Sequence, residues 1–194
     1  VNIEYCWNTG SLSNNHSGGI CGRSCSGVIK YCYNTGSIDE DNTGGICGAN
    51  AHNITVFNCY NNSNGKSGVS NQGGILGKNA GKDHDSVTGD CYIYNCWSNG
   101  TNLAGFLGSQ SGGTVNIENC YIIGSDVGAG TLTNCHSTTS WDDTYAYYTI
   151  GTDSGVSGYD DIRWSNDNVT EWIISDGGNT MIDDAAFMGS YTLG

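Results

Sequence analysis

Residues 32–48 read CYNTGSIDEDNTGGICG, and residues 6–22, CWNTGSLSNNHSGGICG, show the same pattern. Both halves of the motif recur at a 26-residue step. Residues 59–77 and 96–108 are degraded copies, the second of them delayed by an insertion at 79–90. A fifth copy begins at Asn119 and a truncated sixth at Asn134. A period in the twenties with glycine-rich corners is typical of a solenoid.

Each copy holds three short segments with β-strand character. The first is an apolar lead-in such as Ile54-Thr55-Val56-Phe57, the second is Cys-aromatic-Asn, and the third is Gly-Gly-Ile-Cys. Equivalent segments of successive coils pair as parallel strands about 4.8 Å apart. Glycine, asparagine and β-branched residues disfavour helix. The sequence therefore predicts an all-β parallel β-helix, a β-solenoid with three short strands per coil and about five to six coils.

The repeat ends at His136, which predicts two parts of the chain. Residues 1–136 form the solenoid, and residues 137–194 contain no cysteine but three tryptophans. The open edge of a solenoid recruits other chains unless something covers it. We therefore expect 137–194 to cap the last coil, fold back along one face or dock onto a neighbouring subunit.

Stacking turns recurring letters into columns of side chains. The structural cysteine ladder comprises Cys6, Cys32, Cys59, Cys96, Cys120 and Cys135, with Cys21 and Cys47 in the glycine-rich segment. The aromatic column comprises Trp7, Tyr33, Tyr60, Trp97 and Tyr121. Asparagine tolerates left-handed backbone geometry, so the residues before the later cysteines (Asn58, Asn95, Asn119 and Asn134) are predicted corners. Such a corner points Cys inward and the ring outward, whereas simple alternation would do the reverse.

Three roles are open for the ten cysteines. Core filling is favoured, because Cys21 and Cys47 share their column with Leu76 and Leu107. Cys91, five residues before Cys96, likewise takes the place of Val1, Ile54 and Val115 in other coils. Disulfides between neighbouring coils, Cys6–Cys32 and Cys21–Cys47, are the alternative, since stacked Cα atoms fall within bridging range. Zinc comes third, because the C-x₃-C spacing of Cys21 and Cys25 matches no paired zinc motif.

Composition limits the function classes. The chain has 6 Lys+Arg against 19 Asp+Glu and a net charge of −13, so nucleic acid and membrane insertion are not expected. Carboxylates cluster in turns rather than on predicted strands, so we expect no enzyme and no cofactor. A Ca²⁺ site at an acidic turn is the alternative for these clusters. The turns are Asp39-Glu40-Asp41, Asp83-His84-Asp85, Asp142-Asp143 and Asp160-Asp161.

Five Asn-x-Ser/Thr sequons would accept N-glycans in a secreted protein. They start at Asn15, Asn53, Asn61, Asn99 and Asn168. If the aromatic column is exposed, its rings would suit sugar stacking or docking of a partner. The alternative is that the rings simply stack on one another from coil to coil and stabilise the solenoid.

The paired motifs at 6–22 and 32–48 resemble the GLUG-type repeats of bacterial surface proteins and adhesins, over about residues 1–136. The resemblance implies a secreted or cell-surface β-solenoid and transfers no catalytic residue. We expect an extracellular structural protein that self-associates end to end into a fibre, filament or adhesin stalk, with cell-surface or matrix glycans as further partners. The alternative is a carbohydrate-binding or polysaccharide-cleaving β-helix. An ice-binding solenoid fits less well, because the Thr9/Thr35 match is lost at Asn62.

Overall fold

The computed structural model describes residues 1–99, 101–118, 120–124, 126–133, 135–138, 161–164, 172–175 and 180–182. These residues form strands, single bridges and turns, and they contain no helix. It follows that none of them belongs to a helix long and apolar enough to cross a bilayer. The described part of the chain is all-β, as the composition predicts.

Two six-stranded parallel sheets run through the repeats, and each repeat contributes one strand to each sheet. The first sheet contains, in spatial order, β1 (Asn2–Glu4), β3 (Gly27–Lys30), β5 (Ile54–Phe57), β7 (Cys91–Tyr94), β9 (Val115–Glu118) and β11 (Thr131–Thr133). The second contains β2 (Trp7–Asn8), β4 (Tyr33–Asn34), β6 (Tyr60–Asn62), β8 (Trp97–Asn99), β10 (Tyr121–Ile123) and β12 (His136–Thr138). The second sheet therefore extends two residues beyond the predicted boundary at 136.

The strand register places equivalent residues of successive repeats side by side. In the first sheet one apolar column runs through Ile3, Ile29, Val56, Ile93, Ile117 and Leu132. Cys91 pairs with Ile54 on one side and Val115 on the other, which confirms that this cysteine occupies a hydrophobic slot. The inward side chains of β3, β5, β7 and β9 join the ladder cysteines in one hydrophobic core.

Residues with a left-handed backbone separate the two strands of each repeat. Asn58 and Asn95 have φ of 53° and 50°, which confirms these two predicted corners, whereas Asn119 and Asn134 lie outside the described residues. The first two repeats place Tyr5 and Tyr31 at the same point, with φ of 54° and 55°. Left-handed geometry is costly for a bulky residue. Here the two rings stack at 5.0 Å and 5° between planes, a contact that favours this arrangement.

Two further columns of left-handed residues turn the chain elsewhere in each repeat. One contains His16, Asn42, Asn71 and Asn102, and the other contains Ser24, Asn50 and Asn79. Between these two columns lies the Gly-Gly segment. It pairs through single parallel bridges, Gly18 to Gly44 to Gly73 and Cys21 to Cys47 to Leu76 to Leu107. The predicted third strand is thus a row of single bridges rather than a continuous ladder.

The C-terminal part contributes a separate antiparallel sheet. Its strands are β13 (Asp161–Trp164), β14 (Trp172–Ser175) and β15 (Thr180–Ile182), in that spatial order. The change from parallel to antiparallel pairing agrees with the change in composition after His136. Most of the predicted cap, 137–194, lies outside the described residues.

Candidate functional site

The ladder cysteines are hydrogen-bonded thiols within the core. The Sγ atoms of Cys32, Cys59 and Cys120 each accept a hydrogen bond at 3.4 Å from the backbone N–H of the cysteine one repeat earlier. The thiols also donate to the carbonyl oxygen two residues before them, as Cys59 does to Phe57 at 3.2 Å. Cys32, Cys59, Cys96 and Cys120 are buried, whereas Cys6 is exposed and Cys135 is half-buried.

Burial keeps four of the core thiols protonated. It raises the pKa of Cys47, Cys59 and Cys120 well above the usual value, because a buried thiolate would lose its hydration. Burial likewise raises the pKa of Cys91 to about 11. These groups are poor nucleophiles near neutral pH, since the thiolate is the reactive form.

The disulfide pairing differs from the one considered at the sequence level. Cys21 is bonded to Cys25, with their Cα atoms 6.2 Å apart, and Cys6, Cys32 and Cys47 are free thiols. The proposed Cys6–Cys32 and Cys21–Cys47 bridges are therefore wrong. Parallel in-register rungs keep neighbouring Cβ vectors side by side, whereas the left-handed corner at Ser24 turns Cys25 back toward Cys21.

Mapping this pairing gives a first test. Proteolysis of the unreduced chain should yield a peptide in which Cys21 and Cys25 are linked, because their geometry permits the bond. Mass spectrometry after alkylation at pH 8 should show the exposed Cys6 labelled and Cys59 and Cys91 protected, because burial limits access to these two thiols and raises their pKa. A Cys6–Cys32 linked peptide would contradict the pairing.

The aromatic column stacks face to face across repeats. The Tyr33 and Tyr60 centroids lie 4.9 Å apart with 2° between planes, and Tyr60 and Trp97 lie 5.0 Å apart with 4°. Tyr33, Tyr60, Trp97 and Tyr121 are buried, so the outward rings we expected are not exposed there. Trp7, in the first repeat, is 46% exposed and offers the only accessible ring face among these five. The predicted corner gave the side on which the rings lie, outside the cysteine-lined core, but it did not show what covers them.

Asparagine forms a ladder beside the rings. The Nδ2 of Asn8 donates to the Oδ1 of Asn34 at 2.7 Å, and the Nδ2 of Asn34 donates to the Oδ1 of Asn61 at 2.8 Å. Asn61 Nδ2 continues to the hydroxyl of Ser98 at 3.2 Å. The sequence showed Asn8, Asn34 and Asn61 aligned, yet their role as a buried amide ladder was missed. A repeated buried amide at one column was the available signal, because such groups need partners.

The five sequons differ in accessibility. Asn15 and Asn53 are exposed. Asn61 is fully buried, and its amide nitrogen donates to Ser63 O and Ser98 Oγ. This nitrogen is therefore not accessible for attachment of a glycan in the folded chain. Asn99 lies in β8, and Asn168 lies outside the described residues.

Expression through a eukaryotic secretory pathway would test this difference. We expect glycan at Asn15 or Asn53 and none at Asn61, because a buried, hydrogen-bonded amide is out of reach of the transferase. Glycopeptide mass spectrometry gives the site occupancy. Occupancy at Asn61 in folded protein would contradict its position in the amide ladder.

The acidic turns engage their carboxylates locally. Asp39 Oδ2 accepts a hydrogen bond from Ser37, Asp41 Oδ1 accepts one from the Ser70 N–H, and Asp83 Oδ1 accepts one from the Val87 N–H. Across the described ranges, no three His, Cys, Asp or Glu side chains lie close enough together to hold a metal ion. The turns at 142–143 and 160 lie outside those ranges.

The insertion at 79–90 forms a small hairpin. Lys82 and Thr88 pair as an antiparallel bridge, and the Asp83 N–H donates to the Val87 carbonyl at 2.9 Å. Asn50, one repeat earlier, donates its Nδ2 to the carbonyl oxygens of Lys82 and Asp83, each at 3.2 Å. These two hydrogen bonds attach the hairpin to the preceding repeat, and His84 lies at the tip of the hairpin.

Comparisons with protein-family models, with curated proteins and with solved structures found no match for this chain.

Proposed function

We propose that residues 1–138 form a β-solenoid and that the chain is a structural component of an extracellular or cell-surface fibre, built by end-to-end self-association. Three columns of left-handed residues per repeat support a three-sided coil, with two sides made by the paired strands and one by the Gly-Gly bridges. Kinship with GLUG-type surface repeats is part of the same proposal and rests on the paired motifs at 6–22 and 32–48.

The observation that carries self-association is the state of the terminal strands. β1 and β2 at one end, and β11 and β12 at the other, each pair with one neighbour in the described part of the chain. Such strands present unpaired backbone groups that template the addition of another strand. Apolar side chains accompany them, since Trp7 is 46% and Leu132 is 39% exposed.

β1 and β2 occupy the same positions within their repeat as β11 and β12 do within theirs. One end can therefore take the place of the next repeat at the other end. Because every repeat-to-repeat contact is parallel and in register, the last rung of one copy can pair with the first rung of the next. This is a heterologous contact, which propagates into a filament when the rotation does not close. The same edge geometry would accept a further repeat of a longer chain. The antiparallel strands β13–β15 support a distinct assembly or capping element in 137–194.

Electron microscopy of the purified chain tests the proposal. Wild-type protein should form filaments or end-to-end oligomers as concentration rises, and light scattering should follow their growth. W7E should abolish them, because it places a charge in the proposed contact. V87E is the matched control, since Val87 is 55% exposed but lies on the hairpin away from both edges.

Thermal unfolding of both variants shows whether they remain folded. Monodisperse wild-type monomer at high concentration would contradict the proposal, as would equal loss of assembly in W7E and V87E.

A further inference from the structure

The hairpin at 79–90 gathers basic side chains on a strongly acidic protein. Its tip residue His84 contacts Arg23, two repeats earlier, through the ring Nδ1 and a guanidinium nitrogen. Because a guanidinium only donates, the ring nitrogen of His84 is the acceptor in this contact. This contact fixes the Arg23 side chain at the surface and leaves its remaining N–H groups available.

Two more basic residues surround this pair. Arg23, Ala49 and Lys78 occupy one column, since Ser24 N–H donates to Ala49 O and Asn50 N–H donates to Lys78 O. In this column only the buried methyl group of Ala49 lies between the two basic side chains. His16 lies alongside, because its carbonyl oxygen accepts a hydrogen bond from the Ala49 N–H at 3.4 Å.

Electrostatics agrees with this proximity. Burial lowers the pKa of His16, and repulsion from Arg23, then Lys78, and more weakly His84, lowers it further. In the described ranges the ion pair formed is Lys30–Glu4, and neither Arg23 nor Lys78 has a carboxylate partner there.

Two carboxylates near this cluster accept hydrogen bonds from backbone N–H groups. Asp41 Oδ1 binds the Ser70 N–H and Asp83 Oδ1 binds the Val87 N–H. Two of the six Lys+Arg residues and two of the four histidines thus meet at one place on a chain of net charge −13. Uncompensated cations so grouped are the usual recognition elements for sulfate and phosphate.

We propose that Arg23, Lys78, His16 and His84 form a binding site for a tetrahedral oxyanion group, a sulfate or phosphate ester, and that the hairpin insertion exists to complete it. Arg23 supplies paired N–H donors and Lys78 a mobile ammonium. His84 holds Arg23 in position, and His16 adds charge when an anion is bound. The site does not depend on filament formation.

Histidine-labelled full-length chain can be titrated with sodium sulfate and, separately, with sodium phosphate, at ionic strength held constant with sodium chloride. The His16 and His84 ring signals should shift to saturation in NMR spectra. The bound anion should also raise the pKa of His16, because it offsets the repulsion from Arg23 and Lys78. Glucose 6-sulfate and glucose 6-phosphate then distinguish the two ester sources by affinity.

R23Q should weaken anion binding by about tenfold or more, because it removes charge and the paired donors. K66Q is the matched control, since it removes one exposed cation from a different part of the surface and should change affinity by less than about twofold. Circular dichroism checks that both variants keep the wild-type fold. Shifts that follow chloride equally, or a loss in R23Q no larger than that in K66Q, would overturn the proposal.

Discussion

Replacing Trp97 with alanine is expected to lower the free energy of unfolding by about 3–5 kcal/mol. The ring is fully buried and lies against Tyr60 at 5.0 Å, so its removal leaves a cavity in the middle of the aromatic column. Neighbouring rungs are held by their own backbone pairing and cannot move in to fill the space. Denaturant unfolding followed by circular dichroism measures the loss.

The matched control is Trp7→Ala, which changes the same residue type in the same column. Trp7 is 46% exposed and its ring lies 6.4 Å from that of Tyr33, so we expect a loss of about 1 kcal/mol. Equal losses of unfolding free energy for the two variants would contradict the difference in burial between Trp7, in the first repeat, and Trp97, in an inner repeat.

Gly48→Ala is expected to destabilise the chain by about 3 kcal/mol, because the added methyl group has no space. A Cβ at Gly48 would overlap the carbonyl oxygen of His16 and lie 2.9 Å from the carbonyl of Ser17, both in the preceding repeat. Since these are backbone atoms, relief requires the two rungs to separate.

Gly22 occupies the equivalent place one repeat earlier. It directly follows Cys21, whose backbone pairs with that of Cys47 in a single parallel β-bridge. A Cβ there would meet no atom within 4 Å, so Gly22→Ala should change stability by less than about 0.5 kcal/mol. Thermal unfolding of the two variants side by side gives the comparison. A large loss in Gly22→Ala, or none in Gly48→Ala, would contradict close packing between these rungs.

The columns could be predicted because recurrence of residue type encodes one-to-one stacking. Cys91 is the clearest example: its sequence offset alone placed it with Ile54 and Val115, and the register agrees. The corner at Asn58 and Asn95 could also be predicted, because asparagine is the non-glycine residue that best tolerates positive φ.

Features that depend on contacts across repeats were less accessible. The Cys21–Cys25 bond depends on the turn at Ser24, which has a left-handed backbone. Serine has no preference for this geometry, so the turn could not be predicted from the sequence. Burial of Tyr60 and Trp97 depends on what covers their column. The second corner was present in the sequence as Asn42 and Asn71, but a chain rich in asparagine conceals such recurrences.

The basic cluster was missed for a different reason. Its members come from the first repeat (His16 and Arg23), the third repeat (Lys78) and the insertion (His84), so no local motif joins them. The interrupted period was the available signal. The insertion forms a hairpin that brings His84 to Arg23, and we propose this contact as the reason for the interruption.

Through-hydrogen-bond NMR couplings test the stacking of repeats most directly, since they detect individual N–H to carbonyl pairs. If the repeats stack as described, couplings should join Tyr33 N to the Cys6 carbonyl, Tyr60 N to that of Cys32 and Trp97 N to that of Cys59. Couplings from these amides to carbonyls within their own repeat, or to antiparallel partners, would contradict it.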